Sequence, residues 1–551
     1  MSLSTWSPKV VSPDSPETRE PASGYSTMRI LRIGAWVVAV LFILTIARLA
    51  QLDKGGPSHS SFELPGRVPA TFYLPGAANP FFTLFPKPVD QRPAAVVLVH
   101  GFMSDRQMMS ALARRITQNG YAVLAIDVRG HGANRNPFYS DNFVAPDALS
   151  PDIKAAVDFL RSSERVDGSR IVVMGHSMGA GATLEYATHD PGLRGAVMIS
   201  GGWHLGPERP KNALFIFAQH DPEEAIQQTS SAIAAHLAGV PQIDLGKVYG
   251  DFKQGNAVEA VRIPGVNHVQ IITSAAAATT IVQWLDSTFG TARTGAIDVS
   301  EPRLVTAGIA LVLFLILLVP IGRICGSMTR YWSEPVEGLG GWIGVAIIGG
   351  ALLAAMPLVA MIPPAELLSV VVGDVQTSWF AVAGLIAIAV LVLAHVLEWR
   401  RIRDGLAATL FAAALGFAVI YVCQVAMAVA FHRESLTPER LVVAILATLA
   451  TLPFWLGFEF LIRRGGLAIA TTRAVIARAL IIVLMAAGAI LQVLPFVVML
   501  ILPSLALVFV LMEIFAASAY STSRNLVLIT LVEAAWFAWI MAATSPITFM
   551  F

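Results

Sequence analysis

Hydrophobic and polar positions alternate in two different ways along this chain. Between residues 68 and 290, short apolar runs alternate with stretches of helical period. The apolar runs predict strands near 68–74, 94–99, 121–126, 170–174, 195–200, 213–218 and 258–263. The intervening stretches predict helices near 105–118, 151–164, 178–189, 223–238 and 272–289. Such alternation is typical of an α/β domain, a mostly parallel sheet with helices on both faces.

After residue 302 the pattern changes to long apolar stretches that can each cross a bilayer. These stretches predict spans near 304–322, 341–362, 379–397, 406–431, 441–462, 475–494, 496–519 and 525–544. A further apolar run at 33–49 follows Arg29 and Arg32. We interpret it as a transmembrane anchor rather than a signal peptide, because a long polar tail precedes it and no convincing cleavage site follows. The chain is therefore predicted to be an all-α polytopic membrane protein outside the α/β domain, with about nine spans in total.

These patterns divide the chain into six predicted regions. They are a disordered tail at 1–28, a transmembrane anchor at 29–52, a linker at 53–67, an α/β domain at 68–290, a linker at 291–303 and a polytopic membrane domain of about eight helices at 304–551. Composition agrees, since hydrophobic residues make up 55% of the 551 positions and charged residues only 14%. A net charge of +1 gives no indication of a nucleic-acid partner.

Arginines indicate the orientation in the membrane, because short cytoplasmic loops are enriched in Lys and Arg. Arg29 and Arg32 favour a cytoplasmic N-terminus. Loops on the same side carry Arg323, Arg330, Arg400, Arg401, Arg403, Arg463, Arg464, Arg473, Arg478 and Arg524. The α/β domain is thus predicted to be extracytoplasmic, in a protein of the cell membrane.

A candidate nucleophile lies in the motif Gly175-His176-Ser177-Met178-Gly179, between a predicted strand and a predicted helix. A G-x-S-x-G motif in this context predicts a sharp turn that exposes the serine. A serine hydroxyl needs a base and an acid that orients the base. Asp221 and His268 each follow a later predicted strand, in the order Ser, Asp, His. We predict a catalytic triad of these three residues.

The backbone N–H groups of Phe102 and Met178 are the predicted oxyanion-hole donors, because one such donor follows the nucleophile and the other follows an early strand. Met103 and Trp203 are candidates to line the substrate site. Only residues 201–212 separate two core strands, so no helical cap is expected there. The mouth is expected to be bordered by Trp203 and a hairpin at 249–256. An uncapped site of this kind would face the membrane surface or the membrane domain.

Three segments together resemble the α/β-hydrolase superfamily, in its esterase, lipase and serine-peptidase branch. They are His100-Gly101-Phe102, the strand and D-x-R-G-H-G loop at 120–132, and the motif at 175–179. The resemblance covers residues 68–290 and implies an α/β-hydrolase fold and serine hydrolysis, without a cofactor or a metal. It does not identify the substrate, and we recognise no family for the membrane half.

Glu513 and Glu533 lie within predicted spans. Ionisable residues at membrane depth are costly, so a functional role and a structural ion pair are both open interpretations. For the whole chain we expect a membrane-embedded serine hydrolase of acyl esters, with lipidic esters as the expected substrates. A serine peptidase or an acyltransferase with the same triad is one alternative. A transporter or membrane scaffold with an accessory hydrolase domain is another. The expected partners are the lipid bilayer and an acyl-ester or lipid substrate; the oligomeric state is open.

Overall fold

The computed structural model describes residues 23–76, 92–139, 146–202, 209–332, 339–361, 368–397, 399–433, 435–494 and 498–548. Eight of its strands form one sheet with the order β1-β2-β4-β3-β5-β6-β7-β8. The strands are β1 Ser58–Leu64, β2 Val68–Leu74, β3 Ala95–Val99, β4 Ala122–Ile126, β5 Ile171–His176, β6 Gly195–Ile199, β7 Ala213–Ala218 and β8 Val258–Ile263. β2 is antiparallel to both of its neighbours, and the pairs from β4 to β8 are parallel. The mostly parallel sheet predicted from the sequence is confirmed.

Helices cover both faces of this sheet. The first helix, α1 Ser23–Gly55, precedes it; α2 Ser110–Gln118, α3 Ser150–Ser162, α4 Met178–His189, α5 Thr229–Ala238 and α6 Ala275–Phe289 connect or follow its strands. Alternate residues of β3 point to opposite faces, as the pleat of a strand requires. Val97 packs in the core formed with α3, α4 and α5, whereas Val96 and Leu98 pack in the core formed with α2 and α6. We call β1 to α6 the α/β domain.

The remaining helices form a membrane domain. They are α7 Pro302–Ser327, α8 Trp342–Ala360, α9 Gly373–Leu393, the short α10 Trp399–Arg403, α11 Leu406–Met427, α12 Pro438–Ile462, α13 Leu467–Ile490, α14 Val498–Ser523 and α15 Leu526–Thr544. Within the described ranges, nine helices, α1 included, are long and apolar enough to cross a bilayer. The expectation of a multi-pass membrane protein is confirmed at this level.

Two predictions near the N-terminal end need correction. The segment 53–67 was expected to be a linker, but it contains β1. Most side chains of this edge strand are exposed or half-buried, so its polar sequence carries no hydrophobic alternation to reveal it. The helix α1 already includes residues 23–28, which were expected to belong to a disordered tail. Residues 1–22 of that tail lie outside the described residues.

A third correction concerns α13, which begins at Leu467 rather than near residue 475. Arg473 and Arg478 lower the hydrophobicity of its first turns, so the apolar pattern alone placed the start too late. Arg478 is nevertheless buried, because it forms ion pairs inside the membrane domain. A charged residue in a span can thus belong to the helix when a neighbouring helix supplies its counter-charge.

Residues 546–548 join the α/β domain to the membrane domain through the backbone. The N–H of Ile547 donates to the carbonyl of Gly130 (2.9 Å), and the carbonyl of Ile547 accepts from the N–H of Phe138 (2.7 Å). On the other side, the N–H of Val371 donates to the carbonyl of Pro546 (2.9 Å). The segment therefore pairs with a loop of the α/β domain and with the residues that precede α9.

A network of charged residues holds the two domains together at a second point. Arg303, in the first turn of α7, donates to Asp53 at the end of α1 (2.7 Å) and to Glu301 (2.7 Å). Glu301 also pairs with Arg114 of α2, at 3.2 Å. Both arginines and Glu301 are buried, which makes these pairs less screened than surface ion pairs. The start of α7 and the end of α1 are thereby fixed to the α/β domain.

Candidate active site

Ser177 occupies the sharp turn between β5 and α4. Its backbone has φ 53° and ψ −119°, a region that non-glycine residues rarely adopt and that is common at functional turns. Two glycines make the turn possible. A Cβ at Gly175 would overlap the carbonyl of Gly179, and a Cβ at Gly179 would overlap the carbonyl of His100. The tight turn raises the serine hydroxyl above the carboxyl edge of the sheet.

The structure brings the three predicted triad residues together. The Nε2 atom of His268 lies 2.9 Å from the Oγ of Ser177, and its Nδ1 lies 2.7 Å from an oxygen of Asp221. A carboxylate only accepts hydrogen bonds, so Nδ1 carries the proton and Nε2 is left to accept from the serine hydroxyl. Ser177, Asp221 and His268 follow β5, β7 and β8. This arrangement has the geometry of a nucleophile, a base and an orienting acid.

Asp221 is held as a carboxylate by its surroundings. Its second oxygen accepts from the Ser200 hydroxyl (2.6 Å) and from the N–H of Ala218 (2.7 Å). Burial would raise the pKa of Asp221, but the hydrogen bonds from His268, Ser200 and Ala218 outweigh it and hold the pKa below its usual range. The role of Ser200 was not predicted. The available signal was its position at the end of β6, the strand between β5 and β7.

His176, inside the motif itself, was also missed as a contributor to the site. Its Nε2 lies 2.8 Å from the carbonyl oxygen of His268. Burial and the neighbouring His268 lower the pKa of His176 to about 3, so the ring is neutral near pH 7. Since a carbonyl only accepts, Nε2 carries the proton. His176 thereby anchors the loop that carries His268.

The two predicted oxyanion donors border the same space. Met178 is the first residue of α4, so its N–H has no partner within the helix and lies at the positive end of the helix dipole. Phe102 follows β3 and lines the cavity in front of Ser177. The loop that carries Phe102 is fixed by His100. Its Nε2 accepts from Val128 (3.1 Å), and its Nδ1 donates to the Gly101 carbonyl (2.7 Å).

A cavity of about 180 Å³ lies in front of Ser177 and His268. One wall comes from the α/β domain and includes Met103, one of the two predicted lining residues. The other wall comes from α9, α14 and α15 of the membrane domain. The second predicted lining residue, Trp203, lies outside the described residues.

The expectation that a hairpin at 249–256 borders the mouth is wrong. Tyr249 pairs with Val258, the first residue of β8. His268 follows the last residue of the same strand. The turn at 249–256 comes before β8, so it lies at the edge of the sheet where the parallel strands begin. The cavity lies at the opposite edge, where these strands end.

Glu513 and Glu533 lie about one turn beyond the cavity-lining residues of their helices, in a buried ion network of the membrane domain. Arg463 donates to both oxygens of Glu513 (2.9 and 2.8 Å) and to Glu459. Arg478 contacts Glu513 and Glu533. The network links α12, α13, α14 and α15, which gives the two carboxylates a structural explanation. A functional role for them remains a prediction.

The part of the chain that the structure describes contains no group of three or more His, Cys, Asp or Glu side chains arranged to hold a metal ion.

Comparison with known proteins finds relatives of the α/β domain. The family model described as serine aminopeptidase S33, a hydrolase family, matches residues 90–232. Those residues belong to the α/β-hydrolase superfamily. The α/β-hydrolase domain is similar to the cutinase est1 of Thermobifida alba, with 28% identity over 28% of this chain and 47% of the cutinase. It is also similar to a bis(hydroxyethyl) terephthalate hydrolase of Streptomyces coelicolor, with 29% identity over 41% of this chain and 62% of that enzyme.

The chain thus spans about half the length of the first of these curated relatives, 47% of the cutinase. Among solved structures, the α/β-hydrolase domain is similar to a soluble variant of monoglyceride lipase from Saccharomyces cerevisiae. That pair has 14% identity and a TM-score of 0.31, covering 42% of this chain and 96% of the lipase.

Proposed function

We propose that this protein is a membrane-embedded serine hydrolase that cleaves acyl esters through an acyl-enzyme. The observation that carries the proposal is the unbroken hydrogen-bond chain from Asp221 through His268 to Ser177, which ends at an apolar cavity. Ser177 is the nucleophile, His268 the general base and acid, and Asp221 the residue that orients the imidazole.

In the first half-reaction His268 takes the proton of Ser177 while the serine oxygen attacks the carbonyl carbon of the ester. The oxygen of the tetrahedral intermediate becomes negative and accepts hydrogen bonds from the N–H groups of Phe102 and Met178. Collapse of the intermediate breaks the ester bond, and His268 gives its proton to the departing alcohol. A water molecule, deprotonated by His268, then attacks the acyl-enzyme and releases the carboxylic acid.

Ester substrates are favoured over peptides by two observations. The two curated relatives named above carry the names of ester hydrolases. In addition, the cavity wall, as far as the structure describes it, contains no Asp or Glu that would bind the α-ammonium group of a peptide. The serine aminopeptidase description of the matching family model keeps a peptidase as the second candidate.

The proposed orientation has the α/β-hydrolase domain outside the cytoplasm and the start of α1 inside. The α/β-hydrolase domain contacts the membrane domain at the end of α1, at the start of α7 and just after α15. The arginine-rich loops lie at the opposite helix ends, for example Arg323 near the end of α7 and Arg400 before α11. This separation of charge agrees with the cytoplasmic enrichment of arginine.

A fluorophosphonate probe tests the proposed chemistry, because it reacts with an activated serine. The intact protein in membranes should be labelled, and Ser177→Ala should abolish the labelling. Ser230→Ala is the matched control: this buried serine of α5 donates to the carbonyl of Gly201 and, among the described residues, has no hydrogen bond to a triad residue, so labelling should persist. Labelling that survives Ser177→Ala, or its absence from the intact protein, would reject the proposal. Comparing 4-nitrophenyl esters with alanyl and leucyl anilides then separates an esterase from an aminopeptidase.

A further inference from the structure

The membrane domain supplies one wall of the active-site cavity in a regular way. Two of its helices each present a single face, with residues spaced at i, i+3, i+4 and i+7. On α14 these residues are Ile501, Ser504, Leu505 and Val508. On α15 they are Phe537, Ile540, Met541 and Thr544. Most of these side chains are apolar, so the wall favours a hydrocarbon group.

This wall extends into the membrane-spanning part of both helices. Thr544 is the last residue of α15 and lies next to the segment that binds the α/β domain. Phe537 lies seven residues earlier on the same helix, which corresponds to about 10 Å at a helical rise of about 1.5 Å per residue. On α14 the lining residues from Ile501 to Val508 also cover seven positions, and so the same length of helix. The cavity therefore runs from the triad toward the hydrocarbon region.

The size of the cavity suits part of an acyl chain. Its volume of about 180 Å³ is close to that of an apolar protein cavity of about 150 Å³ that binds benzene. Val269 of the α/β domain and Ser504 of α14 line the cavity and are exposed. The opening is thus at the junction of the two domains, near the outer end of the candidate spans, where the ester groups of bilayer lipids also lie.

One polar side chain in the wall lacks a partner. Gln376, in the first turn of α9, is buried and lines the cavity. Its Nε2 atom finds no hydrogen-bond acceptor among the described residues. A buried amide without a partner is costly, and native proteins usually satisfy it. An oxygen of a ligand in the cavity would supply the missing acceptor.

We propose that the membrane domain is the substrate-binding half of the enzyme and admits single acyl esters directly from the bilayer. The acyl chain lies along the α14–α15 wall. Gln376 donates a hydrogen bond to an oxygen in the alcohol part of the ester. This inference rests on the proposed serine-hydrolase function. It adds the substrate class, a membrane-resident long-chain ester, and the residues that select it.

The test narrows the deep end of the cavity. Val508→Trp, in the full-length protein reconstituted in phosphatidylcholine vesicles, should lower kcat/KM for 1-palmitoylglycerol at least tenfold, because displacing even one or two methylene groups from an apolar pocket costs roughly this factor. Hydrolysis of 4-nitrophenyl acetate should stay within about twofold, since this short ester does not reach Val508. The matched control is Val510→Trp on the same helix, where Val510 is 53% exposed and lies outside the cavity. It should alter neither rate.

A second variant tests the polar contact. Gln376→Leu should raise KM for 1-palmitoylglycerol several-fold with little change in kcat, because the contact is to the bound substrate and not to the reacting atoms. Fluorophosphonate labelling of Ser177 measures whether each variant is folded. If Val508→Trp is not labelled, Ile540→Trp is tested in its place, because Ile540 narrows the same cavity from the α15 side.

The outcomes are distinct. If Val508→Trp lowers the hydrolysis of 1-palmitoylglycerol and of 4-nitrophenyl acetate equally, or lowers neither, the inference is overturned. It is also overturned if Val508→Trp and Val510→Trp lower the hydrolysis of 1-palmitoylglycerol equally. A labelled intact protein that hydrolyses 4-nitrophenyl acetate but not 1-palmitoylglycerol would also overturn it and leave the serine-hydrolase chemistry standing. Absence of labelling in the intact protein would instead reject the proposed function itself.

Discussion

Arg440 is predicted to be the side chain that most strongly couples the membrane domain to the α/β-hydrolase domain. It lies in the first turn of α12 and is 2% exposed, and within the described part of the chain its guanidinium donates only to backbone carbonyls. Two of them, those of Gly130 (2.8 Å) and Gly132 (3.1 Å), belong to the α/β-hydrolase domain. The other three, at residues 542, 543 and 545, lie at the C-terminal end of α15.

The expected cost of removing this guanidinium follows from those contacts. Arg440→Met keeps most of the side-chain volume but leaves five carbonyls without their donor. Each buried group left unpaired costs about 1–3 kcal/mol, and the loss is less than additive because water or small shifts satisfy some of them. Removing the buried positive charge of Arg440 offsets a further part of this cost. We therefore expect a net loss of about 3 kcal/mol in the stability of the docked arrangement.

Hydrogen exchange followed by mass spectrometry measures this loss locally. A change of about 3 kcal/mol corresponds to a roughly hundredfold faster exchange of the amides in residues 128–138, if they exchange by undocking. Arg433→Met is the matched control, because among the described residues the Arg433 side chain bonds only to Ser435, and its backbone bond to Asp105 is kept in the variant. Exchange in Arg440→Met that stays within about threefold of the unmodified protein would refute the reasoning.

The remaining predictions concern two other buried groups. The pKa of His176 is about 3 in the folded protein and about 6.5 in an unfolded chain, so the unfolded state binds a proton first as the pH falls. The stability that neutral His176 contributes is present above about pH 6.5 and is lost on acidification toward pH 3, by up to about 1.4 kcal/mol per pH unit. His176→Asn should flatten the decline in apparent melting temperature between pH 7 and pH 5, and an unchanged decline would contradict this. Arg463→Met removes a counter-charge of Glu459 and Glu513. It should lower the free energy of unfolding by about 3–5 kcal/mol, as measured by thermal unfolding in detergent. The exposed Arg403→Met should change stability by less than about 1 kcal/mol, and equal effects of the two variants would argue against the buried network.

Sequence reasoning identified the three residues of the candidate triad because of a geometric property of parallel sheets. Residues that follow the carboxyl ends of neighbouring parallel strands meet at one edge of the sheet. Ser177, Asp221 and His268 each follow such a strand, so their order and the apolar runs before them sufficed to expect their proximity. The same logic would have identified Ser200 at the end of β6, had each strand end been searched for a hydroxyl that supports the acid.

The membrane wall of the cavity had no comparable signal. Hydropathy separates a span from a loop, but it does not distinguish a side chain that faces lipid from one that faces a cavity. Val508 and Val510 are both valines and lie two positions apart on α14. Only the docking of the two domains places Val508 in the cavity and leaves Val510 exposed. The sequence supported an uncapped site near the membrane, without indicating which helices would border it.

The order of synthesis gives the pairing of Ile547 with Gly130 and Phe138 a further consequence. The strands and the triad residues emerge from the ribosome long before α15 and residues 546–548. At bacterial-type rates of about 5–20 residues per second, the delay is roughly 15–60 s. During that interval Gly130 and Phe138 lack the backbone of Ile547 as a partner, and the nucleophile has no α15 wall in front of it. The finished substrate site is thus assembled last, and an interrupted chain that ends before Leu526 would hold all three triad residues without the cavity they serve.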